Sequence, residues 1–156
     1  MSPPEVSETE ASARGRTVAI VAARFNDLIV ASLLKGALAR WGERGGESEE
    51  LLVVRVPGAF ELPVVARHLA GSGRYDAVIA LGCVIRGDTP HFDYVAGECA
   101  RGLQLAALET GVPVVFGVLT VETLEQALER AATSAGNKGG ESMEVALEMA
   151  AIMDRL

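Results

Sequence analysis

Four short apolar runs recur along the chain, and each lacks the polar alternation that a half-wet strand requires: TVAIVA at 17–22, LLVVRV at 51–56, DAVIAL at 76–81 and PVVFGVL at 113–119. A strand buried on both faces needs apolar side chains at successive positions, and that burial is characteristic of parallel sheets covered by helices on either side. Between and after the runs lie stretches with helical spacing. LIVASLLKGALARWG at 28–42 follows Asn26 and Asp27, both suited to capping, and stops at Gly42. ELPVVARHLAGSG at 61–73, FDYVAGECARGLQLAALETG at 92–111 and VETLEQALERAATSAG at 121–136 continue the alternation, and SMEVALEMAAIMDRL at 142–156 closes it. Strands alternating with helices predict right-handed crossovers and an α/β fold. The expected architecture is a three-layer α/β/α sandwich around a four-stranded parallel sheet.

With 156 residues, the chain has one domain's worth of sequence. We expect a flexible N-terminal arm over residues 1–16 and a single domain over 17–156. The arm, MSPPEVSETEASARGR, is acidic and carries no apolar core, so it reads as neither a signal peptide nor a transit peptide. Hydrophobic residues at 49% against 22% charged exclude the composition of a disordered chain. Acidic residues outnumber basic ones 21 to 14, which argues against nucleic acid as a partner. No apolar run approaches the ~18 residues of a membrane span. Cys83 and Cys99 lack metal-site spacing and the chain has only two histidines, so no metal is expected and a reducing, cytoplasmic setting fits.

In open parallel sheets, ligands bind beyond the carboxyl ends of the strands. The four runs lead into ARFND, PGAFE, GCVIRGDTPH and FGVLT, and the distinctive residues of the chain sit there. Phe25, Phe60 and Phe116 fall at or near strand ends in a protein with 4% aromatic residues. Any one of them could plug the gap between sheet and helix. Together they suggest a pocket in which rings stack on a planar ligand. Glu61 is either an ordinary first-turn carboxylate or an acceptor for a polyol or amine. Thr89 and Pro90 read as an N-cap and first helical residue, which sets His91 in the first turn of a helix. An imidazole there suits general acid–base work, and the same turn offers backbone N–H groups and the Thr89 hydroxyl to an anion. His68 lies on an ordinary helical face and reads as structural.

RFN, PGAFELP, DAVIALGCVIRGDTPHFDYV, FGVLTVETLEQALERA and AGNKG stand in an order and spacing that resemble the lumazine synthase family over nearly the whole chain after the arm. The resemblance implies condensation of 5-amino-6-(D-ribitylamino)uracil with 3,4-dihydroxy-2-butanone 4-phosphate to 6,7-dimethyl-8-ribityllumazine, phosphate and water, without a cofactor. It implies His91 as the proton-transfer residue and Phe25 as the ring stacked on the pyrimidine. Ala59, Phe60, Glu61, Cys83, Val84 and Ile85 would bind the pyrimidine and ribityl chain, and Asp88 and Thr89 the phosphate. Phe116 and Arg130 would come from a neighbouring subunit, with Lys138 near the same pocket. The implied assembly is a homopentamer. The uninterrupted AGNKG connection resembles members that close into a sixty-subunit icosahedral shell, and association with riboflavin synthase belongs to the same implication.

Two positions depart from the family pattern. Ser134 stands where many members carry a lysine near the phosphate, and Asp88 where many have a small neutral residue, so its carboxylate is expected to point away and lend only its backbone N–H. Both changes imply weaker phosphate binding. A flavodoxin-like electron carrier would share the sandwich, but ARFND is not the hydroxyl- and glycine-rich phosphate loop it would need. A signalling receiver would need clustered acids where only Asp27 stands. A catalytically weak shell or scaffold relative is the remaining alternative, against which Phe25, Glu61, His91 and Arg130 stand together.

Overall fold

A computed structural model describes residues 2–4, 10–132 and 136–156. Four parallel strands, β1 (Val18–Ala23), β2 (Leu51–Val56), β3 (Ala77–Ile85) and β4 (Val114–Val121), form one sheet in the order β2-β1-β3-β4. Five α-helices join and follow them: α1 (Asp27–Glu43), α2 (Leu62–Ala70), α3 (His91–Thr110), α4 (Leu124–Ala131) and α5 (Lys138–Arg155). The flavodoxin-like α/β sandwich expected from the apolar runs is therefore present.

Alternation along β1 divides the interior in two. Val18, Ile20 and Ala22 face one core with Leu33, Met143 and Leu147 from α1 and α5, whereas Ala19, Val21 and Ala23 face the other with Leu62, Ala66 and Leu103 from α2 and α3. Every residue of β1 is buried, as a central strand covered on both faces requires. Ile79 on β3 and Leu62 on α2 are fully buried, and truncating either to Ala removes about 2–5 kcal/mol of stability. On the α1–α5 side the helices meet backbone to backbone, because a Cβ at Gly139 would collide with the Leu33 carbonyl. Arg40 of α1 and Arg44, the residue just past its end, also clasp Glu144 of α5, with N–O distances of 3.1 and 2.6 Å.

Several boundaries differ from the sequence expectation. β3 runs on to Ile85, so Cys83–Ile85 are strand rather than loop. α4 stops at Ala131, and Ala132 is extended. Its cap is Thr123, whose Oγ accepts from Gln126 N–H at 3.2 Å while the Gln126 side chain accepts from Glu122 N–H at 2.8 Å, a reciprocal arrangement close to a capping box. α5 begins four residues earlier than its apolar spacing suggested, because Asn137 Oδ1 accepts from the N–H groups of Gly139 and Gly140 at 2.7 and 3.2 Å. The contact with the domain also starts before Thr17: Ala13 is buried and its N–H donates to Arg44 O at 3.1 Å. Ser134 lies outside the described residues.

Candidate active site

The strand order reverses between β1 and β3, since β1 leads outward to β2 on one side and β3 leads to β4 on the other. A cleft of about 810 Å³ opens beyond the carboxyl ends of those two strands. Nine of the residues singled out from the sequence line it: Phe25, Ala59, Phe60, Glu61, Cys83, Val84, Ile85, Thr89 and His91.

Each wall has a local cause. Phe25 follows β1 and is held by its backbone, with Arg24 N–H donating to Val56 O at 2.8 Å and Phe25 N–H to Pro57 O at 3.0 Å. The residue is 71% exposed, so its side chain is open to a ligand rather than packed in the core. Ala59–Glu61 form a single 3₁₀ turn after β2, which projects Phe60 outward and brings Glu61 to the cleft. The Glu61 carboxylate makes no ion pair with any described residue. It is therefore available to a hydroxyl or amine. Cys83 and Val84 at the end of β3 form an apolar floor. Burial pushes the Cys83 thiol up to about 11, so near neutral pH it is a packed thiol and not a thiolate nucleophile.

His91 opens α3, with Pro90 just ahead of it. Thr89 and Pro90 therefore stand one place further from the helix than a cap and first residue would. Thr89 Oγ accepts from His91 N–H at 3.4 Å, a long contact that leaves the hydroxyl free for another partner. The imidazole is exposed at the cleft. Asp88 is exposed and lines neither of the clefts described here.

Asn26 is the residue that sequence reasoning placed in a different role. It precedes α1 as expected of a cap but makes no side-chain cap bond. It is the one non-glycine residue at positive φ among those described, at 62°, and its Nδ2 donates to Cys83 O at 2.8 Å. Asparagine tolerates the left-handed region better than most residues. The sequence signal was present in RFND, but it pointed to a helix cap instead of a strut between the first loop and the third strand. Tyr94 and Phe92, on the first turn of α3, also enter the wall without having been singled out.

Phe116, Arg130 and Lys138 do not join this cleft. They line a second one of about 430 Å³, beyond β4 and between α4 and α5, with Thr120, Val121 and Glu141. Among the described residues, Arg130 Nη1 donates to the carbonyl of Gln126, at 3.0 Å, and Lys138 Nζ lies 3.9 Å from Glu141. The wall of the first cleft has no lysine or arginine among the described residues, whereas that of the second holds both. Among the described residues, no three His, Cys, Asp or Glu side chains gather as a metal centre would require.

The comparisons agree with this geometry. The family model described as 6,7-dimethyl-8-ribityllumazine synthase matches residues 15–154. A protein of that name from Nitratidesulfovibrio vulgaris (strain DSM 19637 / Miyazaki F) is 53% identical over 149 residues, covering 96% of each chain. Another from Syntrophus aciditrophicus (strain SB) is 51% identical over 153 residues, covering 98% of this chain and 99% of the relative. With the fold, the cleft at the strand-order reversal and a match across almost its whole length, the chain belongs to the 6,7-dimethyl-8-ribityllumazine synthase family.

Proposed function

We propose that the two clefts are halves of one active site, the aromatic half supplied by one subunit and the cationic half by its neighbour. The reaction is the family's: the chain is an enzyme of riboflavin biosynthesis that condenses 5-amino-6-(D-ribitylamino)uracil with 3,4-dihydroxy-2-butanone 4-phosphate. The observation that carries the composite reading is the absence of any lysine or arginine among the described residues that wall the first cleft. One substrate is a phosphate ester, and Arg130 and Lys138 face the other cleft.

In this reading the pyrimidine lies against Phe25, with Phe60 and the floor of Ala59, Cys83, Val84 and Ile85 around it, and Glu61 accepts from its ribityl hydroxyls. The phosphate sits over the turn before α3, where Thr89 and the backbone N–H groups reach it and the positive end of the helix favours it. Asp88 lends only its backbone. The neighbour's Arg130 closes on the phosphate with two donors, Phe116 covers the heterocycle, and Lys138 lies near the same oxygens.

Chemistry then follows from proximity. The 5-amino group adds to the ketone and water leaves as the imine forms; the phosphate departs by elimination, and the enol left behind becomes a ketone; the ribityl-bearing nitrogen closes the second ring on that carbonyl as a second water leaves. His91, beside the phosphate turn, moves protons between these steps. Holding both reactants in register is worth about 7–11 kcal/mol of barrier, more than the roughly 10²- to 10⁴-fold of one acid–base group.

A homopentamer satisfies the requirement for a neighbour on both sides of every chain. Exposed apolar side chains support such contacts: Leu105 and Leu108 on α3, and Leu124 and Leu128 on α4. Closure of pentamers into a sixty-subunit shell, and an association with riboflavin synthase, are further steps of the same proposal. We place the enzyme in the cytoplasm, where free Cys83 and Cys99 stay reduced. No described helix is long and apolar enough to cross a membrane.

The test is turnover. Purified protein mixed with both substrates should form lumazine, followed by absorbance, well above the uncatalysed rate. A rate equal to buffer would instead favour a scaffold relative.

A further inference from the structure

The turn that carries Thr89 is suspended. No backbone hydrogen bond joins Gly87, Asp88 or Thr89 to another element among the described residues, and all three are exposed. Its position is therefore set by its two ends, and one side chain ties those ends together. Arg86 leaves β3 with its N–H donating to Val121 O at 2.9 Å. Its guanidinium then turns back across the loop. Nη1 donates to Asp93 Oδ1 at 3.2 Å in the first turn of α3, Nε donates to Glu122 Oε2 at 2.8 Å beyond β4, and Cζ lies 4.3 Å from the centre of the Phe92 ring.

We infer that Arg86 is a positioning residue that fixes the span of the phosphate turn and the direction from which His91 enters the site. This inference rests on the reaction assigned above. A planar fork can satisfy two carboxylates and stack on a ring at once, which a lysine ammonium cannot do. The pairs are substantially exposed, with side-chain exposure of 40% for Arg86, 61% for Asp93 and 60% for Glu122. Exposed ion pairs add little to stability. Geometry in a site is another matter, since a displacement of about 1 Å can cost ~10²-fold in rate. The clamp therefore matters far more to turnover than to folding, and it acts on the phosphate end of the cleft while Phe25 and Glu61 lie at the other.

The experiment compares Arg86→Met, Arg86→Lys and Glu122→Ala with the unsubstituted protein in four readouts: steady-state kinetics for each substrate, affinity for the lumazine product, affinity for inorganic phosphate, and Tm. For Arg86→Met we expect kcat reduced and KM for the butanone phosphate raised, together lowering kcat/KM by about tenfold or more. Product affinity should stay within about twofold and Tm within a few degrees. Arg86→Lys should fall between, and Glu122→Ala should shift the same parameters less, giving a reading even if Arg86→Met does not fold. Unchanged kinetics in Arg86→Met or Glu122→Ala, a parallel loss of product affinity, or wild-type behaviour of Arg86→Lys would overturn the inference. If the unsubstituted protein binds both ligands but makes no lumazine, the assigned reaction fails. The role of Arg86 is then decided by the phosphate titration: weaker phosphate binding in Arg86→Met upholds it, and equal binding refutes it.

Discussion

The two clefts arise at the same edge of the same sheet, yet their chemistry divides cleanly. The first, about 810 Å³, is walled by aromatic and apolar side chains with one imidazole and one free carboxylate. The second, about 430 Å³, brings Arg130 and Lys138 together beside Phe116. A flat heterocycle gains from stacking and apolar contact, whereas a phosphate needs donors that carry charge. Three strand exits supply the first environment and the fourth supplies the second. A single chain thus holds each environment on a different flank, and the proposed composite site unites them by contact between chains.

The largest expected effect belongs to the first cleft. His91→Ala should lower kcat by about 10²- to 10⁴-fold while leaving product affinity nearly unchanged, because it removes proton transfer and not the stacking surface. Steady-state kinetics with product titration checks this, and complete loss of turnover would assign His91 more than proton transfer. The next effect belongs to the second cleft: Arg130→Ala should lower kcat/KM by about 10- to 100-fold, mostly through KM for the butanone phosphate, as expected when charged hydrogen bonds of roughly 1.5–3 kcal/mol are lost. A selective rise in KM for the pyrimidine would break the proposed division between the clefts.

The apolar runs made the sheet legible, because burial on both faces of β1 and β3 leaves an uninterrupted hydrophobic signature in the sequence; the run of edge strand β2 looks the same, yet its Leu52 and Val53 are exposed. The first cleft was nearly as legible, since Phe25, Phe60, Glu61 and His91 all sit at strand exits, where an open sheet places its ligands. Other features were not. The third apolar run stops at Leu81 because Gly82 and Cys83 break the β-branched pattern, although both are buried in the strand. The early start of α5 depends on Asn137 accepting from two glycine N–H groups, a cap hidden inside a segment that reads as loop. The strut from Asn26 to Cys83 and the clamp of Arg86 join residues far apart in sequence or across a turn, and periodicity carries no information about such pairs. The separation of Phe116 and Arg130 from the first cleft likewise depends on tertiary placement.

Smaller effects sharpen the same contrast. Phe25→Ala should weaken product binding by a few-fold to about tenfold, in line with the ~0.5–1.5 kcal/mol of an aromatic pair, and leave phosphate binding untouched. Fluorescence titration of the lumazine reads it, and an equal loss for phosphate would deny the two ends separate roles. The smallest concerns the helix pair behind the second cleft. Burial raises the Glu144 carboxyl, but hydrogen bonds and charge from Arg44 and Arg40 outweigh it and hold the group below its ordinary range. A carboxyl with a depressed folded pKa contributes stability that is complete above its ordinary value near 4.5 and is lost as pH falls through the lower folded value. Glu144→Gln should therefore lower Tm slightly near pH 6 and leave the two proteins alike at strongly acidic pH. A Tm difference that grows on acidification would contradict this sign.

Subunit complementation tests the shared site most directly. His91→Ala and Arg130→Ala chains, each feeble alone when the butanone phosphate is well below its KM, are co-expressed with different tags, and the mixed oligomers are purified and assayed at that concentration. If the two clefts meet across a subunit boundary, about one site in four at equal mixing joins an intact aromatic half to an intact cationic half, and turnover recovers well above the mean of the two variants. Activity no higher than that mean in a confirmed mixed oligomer would place the whole site within one chain and contradict the account.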